Sequence, residues 1–138
     1  MLRVLDTNTI SYAMRGEPGT IARLTALQPD DVAVPAIVVY ELRYGLARLP
    51  QVAADPRLAA LTALLAPIQV LDFDARCAEH AAAVRAVLDA TGTPIGPHDI
   101  LIAATTLAQQ AAVLVTSNVR EFSRVPGLQV EDWRVSTH

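Results

Sequence analysis

Short apolar runs alternate along the chain with longer stretches in which apolar and polar residues recur at helical spacing. Leu2 to Leu5, Val32 to Val34, Ile68 to Leu71, Val113 to Val115 and Leu128 to Val130 read as strands. Between them, Ile21 to Leu27, the run from Pro35 to Arg48, Arg57 to Leu65, Asp74 to Ala90 and the run from Asp99 to about Gln110 read as helices. Asp74 is the expected N-cap of its alanine-rich helix, because a short carboxylate accepts from the first free backbone N–H groups. Thr91-Gly-Thr-Pro94 breaks the chain before the next helix, and the stretch from Leu49 to Pro56 reads as an interhelical loop. The alternation predicts an α/β fold: one parallel sheet, flanked by helices on both faces, organising residues 1–138 as a single domain without internal repeats.

In such a sheet, ligands gather outside the carboxyl ends of the strands, where the strand order reverses. Asp6 directly follows the first strand, and Asn118 follows the Val113 strand. Two more acids interrupt the apolar pattern of their helices. The residues three and four away from Glu41 are Ile37, Val38, Tyr44 and Gly45; those around Asp99 are Ile95, Gly96, Ile102 and Ala103. Neither acid has a cationic partner at helical spacing. Burying an unpaired carboxylate costs roughly several kcal/mol unless it is protonated, hydrogen-bonded or coordinated to a metal. If both helices begin at the rim that Asp6 occupies, Asp6, Glu41 and Asp99 converge, and Mg²⁺ or Mn²⁺, which takes oxygen ligands, relieves their repulsion. Plainer roles compete for each acid alone. Asp6 or Asp99 can cap a helix, and Glu41 can reach solvent from the edge of an apolar stripe.

Composition removes several alternatives. The chain has 138 residues, 52% of them hydrophobic, yet no apolar run approaches the ~20 residues of a membrane span. Met-Leu-Arg-Val-Leu-Asp6 reaches an acid too early for a secretory or transit segment, so a soluble, cytoplasmic protein is expected. Cys77 is the only cysteine, which excludes an intrachain disulfide and a thiolate metal cluster. All 11 basic residues are arginine, within a net charge of −3. The lack of lysine argues against phosphotransfer through an aspartyl nucleophile, as in haloacid-dehalogenase-like enzymes or receiver domains; the former also want an acid where Asn8 stands. No G-x-G-x-x-G follows the first strand, so a dinucleotide site is not expected either.

The motifs Leu5-Asp-Thr-Asn8, Tyr40-Glu-Leu-Arg-Tyr-Gly45, Ile95-Gly-Pro-His-Asp-Ile-Leu-Ile-Ala103 and Val115-Thr-Ser-Asn-Val-Arg-Glu-Phe122 resemble, in this order and spacing, those of a PIN-domain ribonuclease. More narrowly, the chain from Leu2 to Trp133 resembles the VapC toxins of type II toxin-antitoxin modules. Pro94-Ile-Gly-Pro97 and the ending from Arg120 to Trp133 are similar to the enteric branch that cuts initiator tRNA in its anticodon stem-loop. The resemblance implies a Rossmann-like sheet, a site of three or four acids binding Mg²⁺ or Mn²⁺, and cleavage of single-stranded or loop RNA. Carried over residue by residue, Asp6, Glu41 and Asp99 match the core acids. Asn118 stands where many PIN domains have Asp, so it orients water without supplying charge; Glu121 is the candidate to contribute through water. The family also implies a homodimer or higher assembly and a VapB-like antitoxin that wraps the toxin and inserts a side chain, often Arg, into the acidic site.

The chemistry can also be argued from the groups themselves. A divalent ion held by Asp6 and Asp99, with Glu41 as ligand or water orienter, activates water and stabilises charge on the phosphate. In-line attack leaves 5′-phosphate and 3′-hydroxyl ends. Thr7, Thr116 and Ser117 are supporting hydroxyls that can bond a phosphate oxygen or a carboxylate. Arg15, Arg43, Arg120 and Arg124 are candidate RNA contacts, since guanidinium groups pair with phosphate and stack on unpaired bases. Tyr12 is a candidate for stacking on a base, whereas Tyr40 and Tyr44 are expected to pack. His98 opens a metal-free route through the ribose 2′-hydroxyl, but it lacks an acid-base partner: His80 lies within the alanine-rich helix and His138 is the last residue. A solvent-facing position is expected for it. The remaining alternative is a catalytically silent PIN-fold protein that binds RNA or a partner.

Overall fold

In the computed structural model, which describes residues 1–135, five strands form one parallel sheet in the order β3-β2-β1-β4-β5. The strands are β1 (Leu2–Leu5), β2 (Val32–Pro35), β3 (Gln69–Leu71), β4 (Ala112–Val115) and β5 (Val130–Glu131). The helices are α1 (Thr7–Met14), α2 (Pro18–Ala26), α3 (Ala36–Ala47), α4 (Gln51–Leu65), α5 (Ala75–Ala90), α6 (Pro97–Leu107) and α7 (Val119–Phe122). Parallel neighbours need crossovers, and the helices supply them on both faces of the sheet, as expected.

The central strands are apolar on both sides because both faces are covered. Val4, Leu5, Val32, Ala33, Val34, Leu114 and Val115 are essentially removed from solvent. Ile10 of α1, Val38 of α3, Leu88 of α5, Ile102 and Ala103 of α6, and Phe122 complete the core. Each large aliphatic side chain so buried contributes about 1.5–3 kcal/mol relative to exposure. Cys77 is buried in α5, where Asp74 caps the helix by accepting from the Cys77 N–H at 3.0 Å.

Chain order reverses at β1. From there the chain steps outward through β2 to β3, then returns to add β4 and β5 on the other side. Leu5 pairs with Val115, so Asp6 and Thr116 leave adjacent strands at the same level. That is the switch point at which the carboxyl ends of two strands diverge and open a crevice.

Three boundaries differ from the sequence reading. Leu49 to Pro56 is not a loop: α4 begins at Gln51, capped by Pro50, and runs through Pro56. Proline in the second turn withholds one N–H from the Val52 carbonyl, and Val52 is exposed, so water can satisfy that carbonyl. The final strand begins two residues later than Leu128 to Val130 foretells, because the turn at Gly127, with φ +78°, is closed by Leu128 N–H donating to the Val125 carbonyl at 3.3 Å. The Asp99 helix stops at Leu107 rather than near Gln110. Among the described residues no helix is long and apolar enough to cross a membrane.

Candidate active site

Asp6 directly follows β1 and caps α1. Its Oδ1 accepts from the Thr9 N–H at 2.9 Å, while the Thr9 hydroxyl donates to the Val115 carbonyl at 2.9 Å and ties α1 to β4. The plain reading as an N-cap is therefore correct. The same carboxylate also lines the switch-point pocket, so capping and site roles coexist. Burial raises the Asp6 pKa above its ordinary value, against the pull of the Thr116 and Thr9 hydroxyls and the Thr9 N–H, and the Glu41 charge adds to the rise.

Glu41 lies in the second turn of α3, which leaves the carboxyl end of β2. One of its oxygens, Oε1, accepts from the Thr7 hydroxyl at 2.7 Å. The other, Oε2, lies 3.4 Å from His98 Nδ1. A neighbour invisible at helical spacing therefore comes from another helix, and His98, half exposed, is a site residue rather than merely a solvent-facing one.

Asp99 stands in the first turn of α6. A helix N-terminus favours a carboxylate by up to about 1 kcal/mol, yet the balance here goes the other way. Burial, then the charges of Glu121, Glu41 and Asp6, push the Asp99 pKa up to about 6, with His98 opposing. The three core acids from distant parts of the chain are thus electrostatic neighbours. They line one cavity of about 140 Å³ with Thr7, Asn8, Ile102, Asn118 and Phe122.

Asn118 precedes α7, and its amide donates to Glu121 Oε2. Glu121 Oε1 accepts from the Gly96 N–H at 3.2 Å, just ahead of Asp99. A fourth carboxylate is thereby drawn toward the pocket, held by the amide at the position where an acid is missing. The Asn118 N–H in turn donates to the Thr116 hydroxyl at 2.9 Å. Thr7 and Thr116 are consequently built into the site. Ser117 is half-buried at the same rim.

The candidate arginines separate. Arg15 shares a larger groove of about 670 Å³ with Thr7 and Glu41 and lies over the Tyr12 ring, 5.3 Å from its centroid. Tyr12 also carries Arg134 at 5.4 Å, so its ring is already engaged within the protein. Arg43 lines a groove on the outer side of α3. Arg124 donates to the Pro94 carbonyl at 3.1 Å, a structural role, and Arg120 is exposed on α7. His80 is half-buried in α5, away from the pocket lining, and His138 lies outside the described residues. Tyr40 and Tyr44 do not pack as expected; both are exposed.

The donors suit a hard divalent cation: the pocket lining offers carboxylate, amide and hydroxyl oxygens and carries no Lys or Arg. Among the described residues, no three His, Cys, Asp or Glu groups stand as a ready-made ligand cluster; Asp6 and Glu41 instead spend oxygens on Thr9, Thr7 and His98. The fit rests on donor chemistry and mutual repulsion.

A parallel α/β sheet with a carboxylate-lined pocket at its switch point places the chain among rim-site α/β proteins. The PIN domain family matches residues 3–128. The tRNA(fMet)-specific endonuclease VapC of Salmonella typhimurium is 35% identical over 130 residues, 94% of this chain and 96% of that one. Ribonuclease VapC2 of Rickettsia felis is 33% identical over 135 residues, covering 96% and 98%. The crystal structure of Rickettsia felis VapBC2, bound to a DNA fragment from their promoter, matches with a TM-score of 0.88 at 32% identity, over 96% of this chain and 99% of that one. DNA-bound VapBC from Salmonella typhimurium gives 0.87 at 36%, with the same coverage. The chain belongs to the PIN-domain family, in its VapC branch.

Proposed function

We propose that this protein is a VapC-type toxin, an endoribonuclease dependent on Mg²⁺ or Mn²⁺ and neutralised by a VapB-like antitoxin. One observation carries the reading: Asp6, Glu41 and Asp99 share a pocket with no basic residue in its lining, where burial, then the charges of Glu121, Glu41 and Asp6, push the Asp99 pKa up to about 6. Such a pocket repels phosphate by itself.

Asp6, Asp99 and Glu41 would hold the ion. When bound, it supplies Lewis-acid stabilisation of phosphate charge and a nucleophile at neutral pH. The residues supply position. Thr7 fixes the Glu41 carboxylate, and the Asp6 cap fixes the start of α1. Asn118 and the Gly96 N–H hold Glu121 beside Asp99, which restores negative charge where Asn118 has none and weighs against the catalytically silent alternative. Hydrolysis breaks the P–O3′ bond and leaves 5′-phosphate and 3′-hydroxyl ends.

The curated relatives named for tRNA(fMet) make initiator tRNA the first substrate to try, and the family resemblance makes its anticodon loop the place to look for the cut. The structures solved as VapBC support a VapB-like antitoxin as the partner; a homodimer within that assembly is what the family resemblance implies. The groove that shares Thr7 and Glu41 with the acid pocket is walled by Met14, Leu42, Leu46 and Leu49, which suits an apolar segment of such a partner.

Cleaved ends mapped across total cellular RNA test the activity. Cuts requiring Mg²⁺, abolished by EDTA and by Asp6→Ala, are expected. Cuts that survive EDTA would support the histidine route instead, and RNA binding without cutting would support the silent one. Co-expression of the protein encoded upstream should relieve growth arrest; unchanged toxicity would count against the pairing.

A further inference from the structure

Along the outer side of α3, three rings and a guanidinium stand in line, starting at the acid pocket. His98, whose Nδ1 is 3.4 Å from Glu41 Oε2, meets the Tyr40 ring edge-on at 5.6 Å and 85°. Tyr40 stacks with Tyr44 at 6.4 Å between centroids and 18° between planes. Arg48 then covers Tyr44 at 5.7 Å. The two tyrosines are 55% and 56% exposed, an apolar expense that neither core packing nor the acid site explains. Arg43 lies with them in a shallow groove of about 530 Å³ between α3 and α4.

We propose that Tyr40 and Tyr44, with His98 at the pocket end and Arg48 at the far end, form a stacking track for unpaired bases of RNA next to the cleaved phosphate. This deepens the nuclease reading above and rests on it. A phosphate in the pocket obliges the neighbouring nucleotides to leave across its edge, and this line leaves from Glu41. Aromatic faces hold bases of any sequence, and flanking arginines hold the backbone. The 6.4 Å between ring centres is close to the about 6.8 Å of two base steps, so a strand along α3 brings alternate bases to successive rings. A duplex keeps its base faces stacked internally and offers none to the track. Arg43 and Arg48 on this side favour a polyanion, whereas the apolar groove beside Met14 suits a protein segment.

The test measures binding of a fluorescein-labelled oligoadenylate, and of a duplex of similar length, to full-length protein carrying Asp99→Asn to silence cleavage. Tyr40→Ala and Tyr44→Ala should each weaken the single strand about tenfold, leave the duplex unchanged, and be rescued by Tyr→Phe. Sedimentation should give the same assembly mass for parent and variants. Equal loss for both RNAs, no loss, or no single-strand binding by the parent overturns the track. A fall in assembly mass also overturns it, since the face then belongs to a second copy of the chain. Cleavage of total RNA by protein with both tyrosines intact is read separately, so failure of the nuclease reading is distinguishable from failure of the track.

Discussion

The Thr7 hydroxyl donates a 2.7 Å hydrogen bond to Glu41 Oε1, joining the first residue of α1 to the second turn of α3 across 34 positions of sequence. This bond sets where one acid of the site points. Thr7→Val keeps the shape and removes the donor, so Glu41 is free to rotate. Cleavage should fall by about ten- to a hundredfold through misplacement, with stability changed by about 1 kcal/mol or less. Thr7→Ser should retain most activity. Single-turnover kinetics and thermal melts separate the two effects.

Asp99 sets a pH dependence whose sign follows from its environment. Its pKa is about 6 in the folded protein against an ordinary 3.8, so the native state binds the proton more tightly than the unfolded chain. Stability contributed by the protonated form is present at low pH and is lost as pH rises from about 4 to about 6. Asp99→Asn should therefore stabilise the metal-free protein at pH 7 by on the order of 1 kcal/mol, after allowing for solvent screening of a partly buried group, and have little effect near pH 4. Melts across that range check it. Saturating Mn²⁺ at pH 7 should narrow or reverse the gap, because the ion stabilises the native state through the ionised carboxylate.

Glycine at position 19 is set by the chain end. A Cβ there would lie 2.3 Å from the Trp133 carbonyl oxygen and 2.6 Å from the Val135 nitrogen, both backbone atoms. Alanine is the better helix former by about 1 kcal/mol, yet the clash decides the sign. Gly19→Ala should destabilise by roughly 1–3 kcal/mol, and proteolysis should show the segment after Glu131 released first.

Beside it, Glu17 accepts from the N–H groups of Gly19, Thr20 and Val135 and from the Thr20 hydroxyl. The Thr20 hydroxyl and these N–H groups hold its pKa at about 2 against an ordinary 4.5. A lowered pKa gives stability that is present above about 4.5 and lost as pH falls toward 2. Glu17→Gln should lower the melting temperature at pH 7 and converge with the unsubstituted protein near pH 2.

Much of this is legible in the sequence alone. Short apolar runs and period-3.6 patterns locate all five strands and the principal helices, because a sheet covered on both faces demands apolar strands. Glu41 and Asp99 stood out as acids among apolar neighbours, and their convergence with Asp6 follows from topology. His98 beside Glu41 was not legible, since the pair spans 57 positions and two helices. The exposure of Tyr40 and Tyr44 was hidden for a related reason: aromatic residues at helical spacing look the same on a buried face as on an open one. Pro56 misleads because proline usually breaks a helix, and only the exposure of Val52, whose carbonyl loses its partner, shows why this one is tolerated.

Mn²⁺ titration of the full-length protein by calorimetry tests the central claim that Asp6, Glu41 and Asp99 jointly hold a divalent ion. Saturable binding is predicted, weakened about tenfold or more by each of Asp6→Asn, Glu41→Gln and Asp99→Asn, and unchanged by Asp55→Asn at an exposed position of α4. Binding that is absent, or indifferent to all three substitutions, would contradict the account.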